Sequence, residues 1–161
     1  MITSEEMKAI AKMAIDGIDA IKRTGIQVIE VRQRYTKIVM PLKGNINHVG
    51  MMYAGSLFTI GEIPGGILHI ASFDVNRFFP VVKEINIRFR RPATTDVTLE
   101  MELGEEQVDH ILAEAEKKGK ADFSLEMKIK DAAGEVVAIV NGTWQIRKIP
   151  AEMKKIMKSE K

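Results

Sequence analysis

The chain has 161 residues, enough for one domain with its own core, and 45% hydrophobic against 29% charged residues is the composition of a soluble globular protein. A net charge of +2 gives no argument for a nucleic-acid or membrane partner, and we expect neither. The absence of cysteine excludes disulfides, thiolate zinc sites and cysteine nucleophiles.

The opening Met1-Ile2-Thr3-Ser4-Glu5-Glu6 lacks the basic and apolar stretches of a signal peptide. Glu62, Pro64 and His69 interrupt the longest apolar region, Met51 to Ala71, so no clean membrane span is expected. We expect a cytoplasmic protein.

Thr3 and Glu6 form a capping box, and Met7, Ile10, Ala11, Ala14, Ile18 and Ile21 follow at helical spacing. This predicts an amphipathic helix over residues 4–23, ended by Thr24-Gly25. Ile26 to Leu42 is rich in Val, Ile, Thr and Tyr and reads as one long strand, with a bulge near Ile29 where the alternation changes phase. A loop carrying Gly44, Asn45 and Asn47 leads into Met51 to about Ser72, a helix apolar nearly all round and so buried on most sides. Gly61, Gly65 and Gly66 would let other backbone come close to it, and Pro64 should kink it.

Beyond Arg77-Phe78-Phe79-Pro80 the period becomes two. Ile85, Ile87 and Phe89; Val97, Leu99, Met101 and Leu103; and Phe123, Leu125, Met127 and Ile129 each alternate with polar residues, as half-buried strands do. Asp131-Ala132-Ala133-Gly134 is a hairpin turn into a returning strand, Val136 to Lys148. A helix at about 105–118, apolar at Val108, Ile111, Leu112 and Ala115, interrupts the meander. The Lys-rich tail after Pro150 is expected to fray. A curved antiparallel sheet wrapped around one long apolar helix satisfies all these faces, an α+β architecture in a single domain over 1–161.

The chemistry concentrates between Asn47 and Glu62. A polar loop enters a buried helix through small residues, and a lone carboxylate follows about two turns later. Unpaired N–H groups at a helix start, aimed at a carbonyl oxygen, form an oxyanion hole. A carboxylate on an apolar helix should have a raised pKa, which suits a general base.

These residues resemble the active-site segment of hotdog-fold acyl-CoA thioesterases of the phenylacetyl-CoA thioesterase type. That family has an Asn, then His-Gly-Gly at the start of the central helix, then an Asp or Glu within it. Asn47 matches the Asn, Tyr53-Ala54-Gly55 stand at His-Gly-Gly, and Glu62 matches the carboxylate, without gaps. Ile85 to Ala93 is similar to the family's strand after the helix, and the resemblance spans about residues 25–148. It implies a hotdog fold, an acyl-CoA or acyl-carrier thioester substrate, no cofactor, and a homodimer or homotetramer. The implied catalytic residues are Glu62, Asn47, Ala54 and Gly55. Loop and carboxylate would come from different subunits. Tyr53, Arg91 and Arg90 are the residues expected at the substrate, the arginines because guanidinium binds phosphate bidentately.

Other residues have plainer readings. His48 is a loop residue, Ser56 a helix-start residue outside any nucleophile elbow, and the ten Met residues are adaptable core filler. His69 and His110 lack ligand partners at metal spacing, so no metal site is expected. Two alternatives stay open beside hydrolysis. One is a binding module that keeps the acyl tunnel without chemistry. The other is a hydratase, although its usual His and carboxylate pair is missing at the matching positions.

Overall fold

The computed structural model describes residues 3–152. Helix α1, Ser4–Asp16, begins with the expected capping box, the Thr3 side chain taking the Glu6 N–H and Glu6 reaching back to Thr3 N. The helix expected over 4–23 is broken, however. Gly17 caps α1, Ile18 is extended at φ −111 and ψ 102, and a short α2 follows at Asp19–Lys22.

The long strand expected from Ile26 to Leu42 is a hairpin instead, β1 at Gln27–Arg32 and β2 at Tyr35–Met40. Its turn places Arg34 at φ 64, a conformation normally left to Gly, Asn or Asp, so no turn residue announces it. Contacts from outside the hairpin hold the turn: Arg34 N–H donates to the Ala71 carbonyl, and the Arg34 carbonyl accepts from Leu103 N–H. The bulge does lie where the alternation changes phase, between Val28 and Glu30.

The central helix consists of two, α3 at Ala54–Glu62 and α4 at Pro64–Ser72, meeting at Ile63. Pro64 has no N–H for the preceding turn, and it occupies the first position of α4, where none is needed. The remaining elements are β3 (Phe78–Phe89), β4 (Val97–Glu102), α5 (Glu105–Lys118), β5 (Lys120–Lys130) and β6 (Val136–Lys148). Strand β3 begins seven residues before the alternation at Ile85 becomes visible, and it takes in Pro80, as an edge strand can. The Asp131–Gly134 turn forms as expected, with Gly134 at φ 82 and Asp131 Oδ1 accepting from Ala133 and Glu135 N–H. Beyond residue 152 the Lys-rich tail lies outside the described residues.

All strands pair antiparallel in one six-stranded sheet, ordered β1-β2-β4-β5-β6-β3. Its curved inner face, including Ile38, Met40, Leu99, Phe123, Val140 and Trp144, buries against Ile60, Ile67 and Leu68 of the helices. The glycines set the distance, but what approaches them is side chain rather than backbone. A Cβ on Gly61 would lie 2.8 Å from Val140 Cγ2, and one on Gly65 would lie 2.0 Å from Trp144 Nε1. Gly142 on β6 likewise leaves room for the far edge of the same indole. Gly66 differs, since a Cβ there meets nothing within 4 Å.

Neighbouring glycines should therefore respond to alanine with opposite signs. Gly65→Ala overpacks against Trp144 and is expected to cost about 1–3 kcal/mol. Gly66→Ala gains helix propensity of up to about 1 kcal/mol. Thermal melts of the two variants check this; shifts in the same direction would contradict the packing described.

Candidate active site

The start of α3 is built by a residue the sequence reading passed over as loop. Asn45 is buried, and its Nδ2 donates to the Thr24 and Pro41 carbonyls at 2.7 and 2.8 Å. Its Oδ1 accepts from Ser56 Oγ at 2.8 Å, and its backbone carbonyl takes the Tyr53 N–H at 2.7 Å. Ser56 is thus a structural helix-start residue, as expected. Only the fold could single out Asn45, because its partners lie as far back as Thr24.

Asn47 organises the loop. Its Oδ1 accepts from Val49 and Met51 N–H at 3.0 and 3.1 Å, while its own N–H donates to the Met51 carbonyl. Its oxygen is therefore committed, and the amide Nδ2 is the group left to meet a ligand. His48 is an exposed loop residue.

Tyr53 caps α3 in extended conformation, at φ −61 and ψ 135, without a side-chain capping bond. Ser56 and Leu57 N–H turn back to its carbonyl. The Ala54 and Gly55 N–H groups precede any intrahelical acceptor and meet no partner among the described residues, so they stand at the positive end of the helix. The Tyr53 ring lies over Gly55, its Cε1 2.3 Å from where a Cβ would stand. Tyr53 itself is 59% exposed.

Glu62 ends α3. Half-buried, it carries a pKa raised by burial alone, and no ion pair or hydrogen bond offsets that cost among the described residues. It stands between two hollows. On one side a cavity of about 420 Å³ lies under α1 and α2, walled by Ile10, Ile18, Ile21, Ile63, Ile67 and Ile70, with His69 in its wall. On the other a groove of about 380 Å³ runs along Phe58, Thr59, Val82 and Ile85 beside the β3 edge.

One chain does not bring all the candidate residues together. Gly55 and Glu62 are seven residues apart on one helix, which puts them about 10 Å apart along its axis at 1.5 Å per residue. A single thioester carbonyl cannot meet both.

Arg90 and Arg91 leave the end of β3, both backbone N–H groups donating to the Val137 carbonyl. Arg91 Nη1 reaches Glu135 Oε2 at 2.5 Å, a pair more than half exposed and therefore weak. Two residues on, the Ala93 carbonyl accepts the Met52 N–H at 2.8 Å, which ties this segment to the start of α3.

Over residues 20–146 the sequence matches the family described as a domain of unknown function, DUF4442. The chain belongs to that family. No curated protein matches it. Among solved structures it is similar to a Pseudomonas aeruginosa protein of unknown function described as a probable thioesterase. The two are 42% identical over 88% of this chain and 95% of that one, with a TM-score of 0.83. A Chlorobaculum tepidum protein of unknown function superposes with a TM-score of 0.81 at 21% identity, over 91% of this chain and 98% of its own. The Escherichia coli PaaI protein, from the phenylacetic acid degradation operon, gives 0.65 at 15% identity over 92% and 97%, a likeness of fold alone. This DUF4442 chain is a hotdog-fold, thioesterase-like protein, as the resemblance implied. Helix α1 lies before the matched residues 20–146.

His69 gives the cavity wall a measurable signature. Buried with Nε2 unpartnered, it has a pKa pushed down to about 4 by burial, which the Phe78 backbone only partly offsets. Between about 4 and the ordinary value near 6.5 the unfolded chain binds the extra proton. His69 stability is thus complete above pH 6.5 and lost as pH falls toward 4, by on the order of 3 kcal/mol. Melting temperatures measured across that window should fall more steeply for the wild type than for His69→Leu; parallel curves would contradict the assignment.

Proposed function

We propose that the chain hydrolyses acyl-CoA or acyl-carrier thioesters in a homodimer, with each site shared between two subunits. The observation that carries this reading is the half-buried, unpartnered Glu62 about 10 Å from a pair of free helix-start N–H groups. Separation along the helix removes both from one carbonyl in the same chain, whereas a two-fold neighbour can supply the missing half.

The free edge of β3 supports such a neighbour. It is twelve residues long and carries exposed Val82 and Phe89, with exposed Phe58 of α3 nearby in the groove. A long edge strand with apolar neighbours invites pairing, and antiparallel pairing of two β3 strands closes a dimer. Two such dimers could pair again as a tetramer.

In this reading the Ala54 and Gly55 N–H groups of one subunit polarise the thioester carbonyl, and Asn47 Nδ2 helps to orient it. Glu62 of the other takes a proton from water as the water oxygen attacks the carbonyl carbon. The tetrahedral intermediate collapses, the C–S bond breaks, and the leaving thiolate recovers the proton from Glu62. Direct attack by the carboxylate, followed by hydrolysis of the anhydride, is the variant path. Tyr53, at the mouth, contacts the substrate. Arg91 and Arg90 meet the phosphates of the carrier; Arg91 exchanges an exposed carboxylate for a phosphate to do so.

The Tyr53 ring over Gly55 favours one second reading, a module that binds thioesters without turning them over. Glu62→Gln separates the two. Hydrolysis predicts that free thiol release from acyl-CoAs falls by about two orders of magnitude or more. The melting temperature should hold or rise, because the amide removes a charge that burial disfavours. Wild-type protein that binds acyl-CoA but releases no thiol would establish the module instead.

A further inference from the structure

The cavity beside Glu62 has a size and a chemistry that specify its occupant. Apart from Glu62 and His69, every described residue that lines it is apolar. Among the described residues no lysine or arginine lines it, and His69 is held neutral at physiological pH. A charged or strongly polar acyl group would lose its hydration there and gain no partner. Ile10 and Ile15 of α1 and Ile21 of α2 wall the cavity from outside.

Helix phase explains why the hollow opens at this place. Gly61 and Gly65 face β6, and Glu62, Gly66 and His69 follow them by one position around the helix, at i, i+4 and i+7. The carboxylate, the bare backbone of Gly66 and the imidazole thus share one stripe, and Gly66 adds open space in the middle of it. The thioester carbon would stand at Glu62, with the groove along β3 leading to the carrier and the cavity to the acyl chain.

Resting on the thioesterase reading, we infer that the substrate class is an uncharged, apolar acyl chain, inserted beneath α1 and α2 along the Glu62–Gly66–His69 stripe. An apolar cavity of about 150 Å³ accommodates benzene, or roughly 25 Å³ per carbon. The 420 Å³ here then admits a chain of up to about 16 carbons.

Gly66→Leu tests this. Its Cβ meets nothing, leucine favours helix, and the side chain fills the cavity. Two measurements are made on wild type and variant: kcat/KM for acetyl-, octanoyl-, dodecanoyl- and hexadecanoyl-CoA, and binding of free dodecanoate, which needs no hydrolysis. The wild type should prefer dodecanoyl to acetyl, and Gly66→Leu should lower that ratio and weaken dodecanoate binding, each by about tenfold or more, the scale of a few methylenes displaced from an apolar site. Hydrolysis with an unchanged ratio and unchanged dodecanoate binding would overturn the inference and leave the hydrolase reading standing. Absence of hydrolysis, with dodecanoate binding that Gly66→Leu abolishes, would uphold the chain site and overturn the hydrolase reading. A wild-type preference for acetyl- over dodecanoyl-CoA would also overturn the inference.

Discussion

Gly65 leaves room for the Trp144 indole, and that contact sets both the depth and the rotation of the central helices on β6. A helix seated one residue further round would turn Glu62 into the sheet and Gly66 onto the indole. With Gly61 and Gly65 inward, Glu62 emerges at the boundary between the cavity and the β3 groove, and the start of α3 stays free of the sheet. Phe123 stacks on Trp144 and Phe73 tilts against Phe123, so the seat is backed by an aromatic row that ends at His69. Packing in the core and polar chemistry at the site are thus joined through one glycine.

That seat exacts a cost at the site. Among the described residues Glu62 lies half out of water without a partner, and His69 is buried with an unsatisfied Nε2. A chain selected for stability alone would place apolar residues at both positions. Keeping them is reasonable where a raised carboxylate and a neutral cavity wall serve binding and proton transfer. Asn45 shows the opposite economy, because its three side-chain hydrogen bonds all go into fixing the loop and the helix start that present Ala54 and Gly55.

Much of this was legible in the sequence, and the reasons differ from element to element. Strands β4 and β5 have one wet face, so their alternation survives as a pattern of residue types, while β6 was legible from the turn that precedes it. Helix α5 shows its apolar stripe and ends at Gly119 in left-handed conformation. The β1–β2 turn was hidden because tertiary hydrogen bonds, not turn chemistry, hold Arg34 at positive φ. The first half of β3 was hidden because an exposed edge strand containing Pro80 has no buried face to set a period. The order Asn47, Tyr53-Ala54-Gly55, Glu62 could be read directly, while the roles of Asn45 and Gly66 could not. Each depends on what lies opposite in space, and nothing near it in the chain reveals that.

The central claim is that two chains share each site, and complementation between two inactive variants tests it most directly. Ala54→Pro removes one N–H from the first helical position, where proline is tolerated, and Tyr53 at φ −61 and ψ 135 already has the conformation that precedes proline. Glu62→Gln removes the carboxylate and keeps the shape. Unfolded together in equal amounts and refolded, the two should give about half mixed dimers, each with one intact site of two, and so about a quarter of wild-type thioesterase activity. Activity no greater than the sum of the separate variants, in a sample shown by light scattering to contain mixed dimers, would contradict a shared site.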